Sequence, residues 1–323
     1  MTSRSRLLGA WLYVAVLLVV WAALWHATDD ASLVTVLAFG PRWVWAMPLF
    51  YFLPLPGRRL GVPFIVAALV VAGPIMGFVA AGVWARPPRS AGPAMRLITA
   101  NLGSRLLVPA EFASLIASTH PDVVLMQECT ERAEPAFAGS AWYFHSDDGL
   151  CLGSRLPVEG AVARYRQNTS GHGAFGARYR VRLGDAWIDL ANLHLDTPRD
   201  GIMSLLRGSG GLGGMQAAIA QRRQQSRLVR QWLADADQTT LVTGGDFNLL
   251  EESVIYRESW GQLRNGFSAA GVGWGFTKRE NWLLAARIDH VLVGPRWQVT
   301  RAWVDEASGS DHRPLVIDMV LAQ

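Results

Sequence analysis

Cysteine is scarce in this sequence, and the scarcity excludes two kinds of small domain. The chain has 323 residues and only two cysteines, Cys129 and Cys151. Two are too few for a disulfide framework or for a structural zinc site, which takes about four Cys or His ligands. The two could pair if they lie outside the cytoplasm, and two separate, half-buried thiols are an equally good interpretation.

Net positive charge is also missing from most of the chain. The whole sequence carries +4, but residues 1–89 carry +5 and residues 90–323 carry −1. A domain that binds DNA regardless of its sequence usually has a basic surface. The charge distribution therefore disfavours a nuclease without excluding one.

Lysine is absent apart from Lys278, so no lysine is available for a nucleotide-binding P-loop. The glycine-rich stretch 204–214 lacks the Lys-Ser/Thr ending of that motif. We interpret this stretch as a mobile flap or a disordered insert.

Charged residues are absent from two long apolar runs near the N-terminus, 7–25 and 60–85. Each is long enough to cross a bilayer, which takes roughly 20 apolar residues. A third apolar stretch is interrupted by Pro41 and Arg42. We predict a transmembrane segment over residues 1–89, with helices at 7–27, 31–56 and 60–85.

The distribution of charge around these runs predicts a multi-pass protein of the cell membrane. Arginines precede the first and third runs, whereas Asp29 and Asp30 follow the first. The positive-inside rule then puts the N-terminus in the cytoplasm and, after three crossings, the rest of the chain outside. If the middle run is re-entrant, the rest is cytoplasmic instead. A cleaved signal peptide is disfavoured because two further apolar runs would still anchor the chain.

The remainder of the chain predicts a linker at 90–94 and one globular domain at 95–323. Helical patterns at 111–118 and 215–236 alternate with short apolar runs that read as strands. Few βαβ repeats are present, which indicates an α/β fold of two packed mixed sheets flanked by helices, a four-layer α/β/β/α sandwich. The predicted strands are 96–100, 122–126, 150–152, 186–193, 240–242, 288–293 and 315–320.

Polar residues stand at the ends of these strands. Asp246 and Asn248, in Gly-Gly-Asp-Phe-Asn, are two residues apart and project to the same side of an extended chain. A carboxylate beside a carboxamide suits orienting a water and holding a phosphate oxygen. A strand that runs into an ordinary polar turn gives the same pattern. Other strands end on Asn101, Gln-Glu128, His194-Leu, Ile-Asp289-His and Ser-Asp311-His312-Arg-Pro.

This ordered set, with Ser-Arg-x-Pro at 154–157, resembles the endonuclease/exonuclease/phosphatase superfamily, which has the DNase I-like fold. The resemblance covers residues 95–323. It implies a divalent cation, Mg²⁺ or else Mn²⁺ or Ca²⁺, held by Glu128 with Asn101 and Asp311 nearby. One departure is Gly103, where the family often has a second polar residue after the first-strand Asn.

The resemblance also implies catalytic roles in an in-line displacement at phosphorus. His312 would contact the attacked phosphate. His194 would be its counterpart on the other side, with Asp289 as its orienting partner. Asp246 would orient or activate the attacking water, and Asn248 would hold a phosphate oxygen.

Several other polar residues are better explained by structure than by chemistry. His290 points opposite to Asp289 on a strand, and we expect it to be structural. Arg178, Arg180 and Arg182 are expected to form a solvated strand face. The arginines of the long helix are expected to form its polar side. They are Arg222, Arg223, Arg227 and Arg230.

Three functions are compatible with the sequence. The first is a membrane-anchored, metal-dependent phosphoester hydrolase that acts on a lipid-linked phosphate or pyrophosphate outside the membrane; this plan is similar to that of bacterial teicoplanin-resistance membrane proteins. The second is a membrane-tethered nuclease, for which the aromatic and basic residues of 274–282 could stack on bases. The third is a phosphate-binding module without catalysis. No protein partner is inferred.

Overall fold

The computed structural model describes residues 3–52, 58–84, 92–104, 106–139, 141–166, 173–208, 210–281, 283–306 and 309–322. The boundary between the predicted segment and linker, at 89 and 90, lies outside the described residues. Trp282, part of the predicted aromatic and basic stretch, also lies outside them.

The N-terminal part is helical, and its long first helix is the expected one. Within the described residues, one helix, Arg4–Ala27, is long and apolar enough to cross a membrane. The bent pair Ser32–Phe39 and Arg42–Tyr51 would be a second span if its two pieces are counted as one. By length and composition alone, the first could equally be a signal sequence. The helices are α1 Ser3–Ala27, α2 Ser32–Phe39, a 3₁₀ turn Arg42–Ala46, α3 Met47–Phe52, α4 Arg58–Val70, a π turn Val71–Ile75 and α5 Ala81–Trp84.

Two of the three predicted helices differ from this arrangement. The chain bends by 84° between α2 and the next helical piece, because Pro41 cannot continue the hydrogen-bond pattern of α2. The apolar helix that starts in α4 stops at Ile75, where Pro74 lies in the π turn. Val79 then pairs with Gly273 as an isolated β-bridge, so 60–85 is not one helix.

The described strands of the C-terminal part form two six-stranded mixed sheets and a short hairpin, β10–β11. The first sheet has the order β13-β14-β1-β2-β4-β3 and the second β5-β6-β7-β8-β12-β9. The strands are β1 Ala94–Asn101, β2 Val123–Gln127, β3 Tyr143–Asp147, β4 Leu150–Ser154, β5 Val158–Tyr165, β6 Ala174–Leu183, β7 Ala186–His194, β8 Val242–Asp246, β9 Arg264–Asn265, β10 Lys278–Arg279, β11 Ala285–Ala286, β12 Asp289–Val293, β13 Trp297–Val304 and β14 Leu315–Leu321.

The alternation of side chains along the inner strands produces four layers. Leu97 of β1 faces the second sheet in the central core, whereas Ile98 faces the first outer layer and packs with Phe112 of a flanking helix. On the other side, Ile219 packs against Leu193 of β7. The predicted α/β/β/α sandwich is confirmed. The remaining helices are α6 Pro109–Thr119, a 3₁₀ turn Glu131–Phe137, α7 Arg199–Arg207, α8 Gly211–Trp232, α9 Val254–Trp260 and α10 Gly266–Ala270.

The helical segment packs directly against the sandwich. Asp29, in the turn after α1, forms a fully buried ion pair with Arg222 of α8, with 3.2 Å between the nearest N and O atoms. Arg223 pairs with Asp30. The acidic turn after α1 covers this side of α8, so the expectation of a polar helix side was wrong for the fully buried Arg222, whereas Arg223 remains partly exposed.

The glycine-rich stretch is not a flap. Its residues up to Arg207 lie in α7, and those from Gly211 lie in α8. Glycine fits here because α7 and α8 pack closely: a Cβ on Gly214 would lie 2.4 Å from Ser204 Oγ.

The sulfurs of Cys129 and Cys151 are bonded as a disulfide, with their Cα atoms 5.9 Å apart. The bond joins the residue after Glu128 to β4, the neighbour of β2 in the first sheet. The sequence left a disulfide or two separate thiols as alternatives, and the structure has the disulfide.

Candidate active site

Three neighbouring strands of the second sheet place acidic and imidazole side chains in a row. His194 ends β7 and is the parallel partner of Asp246 at the end of β8. Asp289 begins β12 and is the antiparallel partner of Asp246 on the other side. Asp246 therefore stands between His194 and Asp289 at one edge of the sheet.

The first sheet contributes a carboxamide and a carboxylate to the same place. Asn101 shares its face of β1 with Leu97, so it projects toward the second sheet. Its Nδ2 donates to Asp246 Oδ2 at 3.0 Å and to Glu128 Oε1 at 3.2 Å. The two sheets thus meet through Asn101, which brings the predicted water-orienting carboxylate next to the predicted metal ligand.

Asp246 is almost fully buried and is held by its neighbours. Its Oδ1 accepts a hydrogen bond from the backbone N–H of Asn248 at 2.9 Å. Burial, and then the charge of Asp289, raise the pKa of Asp246 to about 7. A carboxylate with this pKa can accept a proton near neutral pH.

His312 is the histidine that Asp289 orients. Its Nδ1 lies 2.9 Å from Asp289 Oδ2, and its Nε2 lies 3.7 Å from Asp246 Oδ2. Burial acts to lower the pKa of His312, but the carboxylates of Asp289 and Asp246 outweigh it and raise the pKa to about 9. The imidazole is therefore charged at neutral pH and can donate through Nε2.

The assignment of Asp289 to His194 was wrong. β8 lies between β7 and β12, so Asp246 separates the two side chains, whereas a β-bridge between Lys278 and His312 brings His312 over Asp289.

His194 occupies the opposite side of Asp246. Its Nε2 lies 3.8 Å from Asp246 Oδ2 and 3.9 Å from Glu128 Oε1. Burial, and then the charge of Arg166, lower the pKa of His194 to about 4. His194 is therefore neutral where His312 is charged, although both face the same carboxylate.

Arg166 is a residue of the site that the sequence did not indicate. Its guanidinium donates to the backbone oxygen of His194 at 2.5 Å and pairs with Asp196 Oδ1 at 2.9 Å. Asp196 follows His194 by two residues and so projects to the same side, which was the only available signal. Arg166 itself follows an edge strand without an apolar run, so sequence periodicity could not place it.

A buried amide network lies beneath the site and was also missed. Gln127 Nε2 donates to Asn192 Oδ1 at 2.6 Å and to Thr99 Oγ1 at 3.1 Å. Asn192 Nδ2 donates in turn to the backbone oxygen of Met126 at 2.9 Å. These bonds satisfy polar groups between the two sheets and fix the strand ends that carry Asn101, Glu128 and His194.

Asn248 and Asp311 lie at the rim of the site. Asn248 has a φ of +48°, and its Nδ2 donates to the backbone oxygen of Leu195 at 2.8 Å. One N–H of that amide remains for a substrate oxygen. Asp311 forms an ion pair with Lys278, and its Oδ1 lies 4.0 Å from His312 Nε2.

Five of the eight predicted site residues line a cavity of about 520 Å³, whereas Asn101, Asp289 and Asp311 do not line it. The side chain of Glu128 is 38% exposed, so its carboxylate is open to a cation. Ser104 Oγ lies 3.3 Å from Glu128 Oε2, so a hydroxyl one residue later takes the place left by Gly103. Residues of the site that line the cavity include Glu128, His194, Asp246, Asn248, Lys278 and His312.

Two donor sets could bind a metal ion. Ligand atoms of Asp246, Asp289 and His312 lie within 4.8 Å of one another, but His312 Nδ1 is already bonded to Asp289. Glu128 offers carboxylate oxygens at the open side of the cavity, whereas Asn101 is buried and its Oδ1 accepts from the backbone N–H of Gly103 at 3.0 Å. Hard oxygen donors of this kind fit Mg²⁺, Mn²⁺ or Ca²⁺.

The structural role expected for His290 is confirmed: it is buried, its Nε2 lies 2.9 Å from the backbone oxygen of Leu249 and its Nδ1 lies 3.1 Å from Asn265 Nδ2. Arg180 and Arg182 of β6 are exposed, as expected of a solvated face, whereas Arg178 is half-buried and pairs with Asp189.

Comparison with known proteins agrees with this geometry. A model of the Endonuclease/Exonuclease/phosphatase family matches residues 98–312. No significant match is found among curated protein sequences.

Several solved structures share the fold at low sequence identity. TDP2 from D. rerio, complexed with a single-strand DNA product, is 16% identical with a TM-score of 0.56, over 70% of this chain and 98% of that one. An endonuclease/exonuclease/phosphatase from Beutenbergia cavernae DSM 12333 is 17% identical with a TM-score of 0.52, over 71% and 72%. A family protein from Leptotrichia buccalis C-1013-b is 16% identical with a TM-score of 0.53, over 70% and 99%.

Proposed function

Because this chain belongs to the endonuclease/exonuclease/phosphatase family and is a metal-dependent phosphoester hydrolase, we propose that it acts from the membrane on a lipid-linked phosphate or pyrophosphate. The main observation in support of this chemistry is a series of contacts from Glu128 through Asn101 to Asp246, with His312 and His194 on either side of Asp246. These contacts support a cation site, a base and a charged donor around one cavity.

We assign the cation to Glu128, with Asn101 and Asp311 beside it, and Mg²⁺ is the ion that these oxygens suit best. When bound, the ion would neutralise charge that develops on the phosphoryl oxygens. Asn101 Nδ2 donates to Glu128 Oε1, and its Oδ1 accepts from the backbone N–H of Gly103 at 3.0 Å, so Asn101 would orient the carboxylate that holds the ion.

Residues of the chain itself have the remaining catalytic roles. Asp246 orients the attacking water and accepts its proton, for which its raised pKa is suited. His312, held by Asp289, donates from Nε2 to a phosphoryl oxygen. Asn248 donates its free N–H to a second oxygen, and neutral His194 contacts the opposite side of the phosphate.

The contacts of the helical segment support a position outside the membrane. Arg4 and Arg6 lie at the start of α1, and Asp29 after its end is buried against the sandwich. With the arginines in the cytoplasm, the sandwich lies on the outer side. A disulfide between Cys129 and Cys151 is compatible with an oxidising compartment.

The charge of the sandwich supports a lipid-linked substrate over a polyanion. Residues 90–323 carry −1, and each arginine of β6 has an acidic side chain within 4 Å. A membrane-anchored enzyme without a basic surface is suited to a substrate that is itself anchored, such as a polyprenyl phosphate or pyrophosphate.

A nuclease is the second candidate, because the D. rerio TDP2 structure with the same fold holds a DNA product. Trp274 and Phe276 stack with ring centroids 6.4 Å apart and precede Lys278, so bases could stack here. Lys278 is engaged by Asp311, which leaves less free charge for a phosphate backbone.

One experiment separates the two candidates. Full-length protein in detergent is assayed with Mg²⁺ for phosphate release from polyprenyl pyrophosphate and for nicking of plasmid DNA, beside Asp246→Ala. Phosphate release that Asp246→Ala abolishes, without nicking, is the expected result. Nicking without lipid turnover would make the protein a tethered nuclease and contradict the proposal.

A further inference from the structure

A second cavity, of about 260 Å³, lies where the helical segment meets the sandwich. Trp43 and Met76 line it from the helical side, and Arg279, Leu283 and Arg287 line it from the sandwich. The hairpin β10–β11 separates it from the active-site cavity: Lys278 lines the active-site cavity, and its neighbour Arg279 lines the second one. We call it the interface cavity.

A buried guanidinium in the wall of this cavity has unused donors. The side chain of Arg287 is 10% exposed. Its Nη2 contacts Glu251 Oε2 at 2.7 Å, but Nε and Nη1 have no hydrogen-bond partner among the described residues. The guanidinium lies over the Phe267 ring at 4.8 Å, and because buried charged donors are costly without a partner, its two unbonded N–H groups are available to an anionic ligand.

The charges that line the cavity leave one cation uncompensated. Glu252 pairs with Arg42, and Glu251 pairs with Arg287. Within the part of the chain that the structure describes, Arg279 has no acidic side-chain partner. The cavity therefore combines one excess positive charge with the free N–H groups of Arg287.

The rest of the wall is apolar and belongs partly to the helical segment. Trp43 donates from Nε1 to the backbone oxygen of Leu283 at 2.9 Å, which ties the hairpin loop to that segment. Trp274 and Phe276 form the opposite side. Tryptophan at such a position is typical of the membrane–water interface, where lipid phosphates lie.

We propose that the interface cavity binds the phosphate headgroup of an anionic membrane phospholipid. The phosphate accepts from one unbonded N–H of Arg287, at Nη1 or at Nε, and pairs with Arg279, while the glycerol and upper chains contact the aromatic wall. Guanidinium groups suit phosphate because they stay charged and donate charge-assisted hydrogen bonds. The inference rests on the membrane position proposed above, and the lipid bound here is not the one that is hydrolysed.

Lipid retention by the full-length protein tests this site. Protein is extracted in mild detergent, loaded with phosphatidylglycerol, and the lipid retained is measured by native mass spectrometry. We expect one phosphatidylglycerol per chain, and Arg287→Gln and Arg279→Gln to weaken retention about tenfold or more, since each removes a charge-assisted contact. Arg180→Gln, on the exposed face of β6, is the matched control and retains the lipid.

Two results would overturn the proposal: equal retention by Arg279→Gln, Arg287→Gln and the unchanged protein, or displacement of the lipid by inorganic phosphate alone. If Arg287→Gln does not fold, lipid retention by Arg279→Gln and Trp274→Ala is compared with that of the unchanged protein. Mg²⁺-dependent hydrolysis of a soluble phosphodiester, measured on the same preparations, reports on the active site separately. Loss of lipid retention with hydrolysis intact would locate the effect in the interface cavity.

Discussion

At the scale of single residues, Asp246 contacts more of the site than any other side chain described above. Its carboxylate lies within 4 Å of Asn101, His194 and His312, and it pairs in register with Asp289. The charge of Asp289 raises the pKa of Asp246, whereas His312 and the hydrogen bond from Asn101 lower it. The site is therefore a set of coupled groups in which one substitution changes the others.

Asp246→Asn should remove hydrolysis while preserving the fold. The amide keeps the size of the side chain and can still accept from Asn248, but it cannot take a proton from water. We expect a loss of about 10²–10⁴-fold in kcat for a soluble phosphodiester. Circular dichroism and the unfolding midpoint should remain near those of the unchanged protein, and activity within tenfold of the original would contradict the assigned role.

Asp289→Asn should change the pH dependence of the reaction. The carboxylate of Asp289 raises the pKa of His312, so the charged imidazole persists until the pH passes about 9. Without that carboxylate the pKa of His312 falls, and the alkaline limb of the kcat profile moves to lower pH. Asp318→Asn, which affects an ion pair with Arg96 away from the site, is the control and should leave the limb in place.

Most of the site residues were predictable from sequence because they lie at or just after the ends of predicted strands. Asp246 and Asn248 were recognisable from their spacing, and the motif order indicated Glu128, His194 and His312. The partner of Asp289 was not predictable, since it depends on β8 lying between β7 and β12. Arg166 was missed because long-range packing, and not local pattern, brings it to His194.

At the scale of secondary-structure elements, glycine explains how closely β7 and β8 approach. Gly245 has a φ of +149°, and a Cβ there would lie 2.0 Å from the backbone oxygen of Leu193. The two glycines before Asp246 therefore serve the packing of the strand that carries it. Most inner strands have clear apolar runs, whereas the edge strand β5 alternates exposed and half-buried residues and the inner strand β6 carries alternating arginines, so neither was predicted from an apolar run.

Gly245→Ala should destabilise the protein by about 2 kcal/mol or more, because the new methyl group meets backbone that cannot move away. The unfolding midpoint in denaturant measures the effect. Gly213→Ala is the matched control: it lies in α8 with open space around its Cβ position and should be neutral or stabilising by up to about 1 kcal/mol. Equal midpoints for the two variants would contradict the packing argument.

At the scale of the whole molecule, the helical segment and the sandwich share a core. Leu250 and Ile288, which flank Asn248 and Asp289 in the chain, pack in one cluster with Leu17 and Leu24 of α1. Arg222 donates both to Asp29 and to the backbone oxygen of Asn248. The segment is therefore part of the support of the active site as well as a candidate anchor.

Breaking the ion pair between Asp29 and Arg222 from one side should be costly. Arg222→Met leaves a buried carboxylate unpaired, and Asp29→Leu leaves a buried guanidinium unpaired. We expect each to destabilise the full-length protein by about 3–5 kcal/mol, and the double variant to recover most of the loss. Unfolding midpoints in detergent test this, and additive losses in the double variant would show that the two groups do not interact.

The same ion pair joins two residues that are synthesised far apart in time. Asp29 leaves the ribosome early, but Arg222 follows 193 residues later. Until then the turn after α1 carries an acid with no counter-charge, and only a sandwich folded far enough to present α8 can neutralise it.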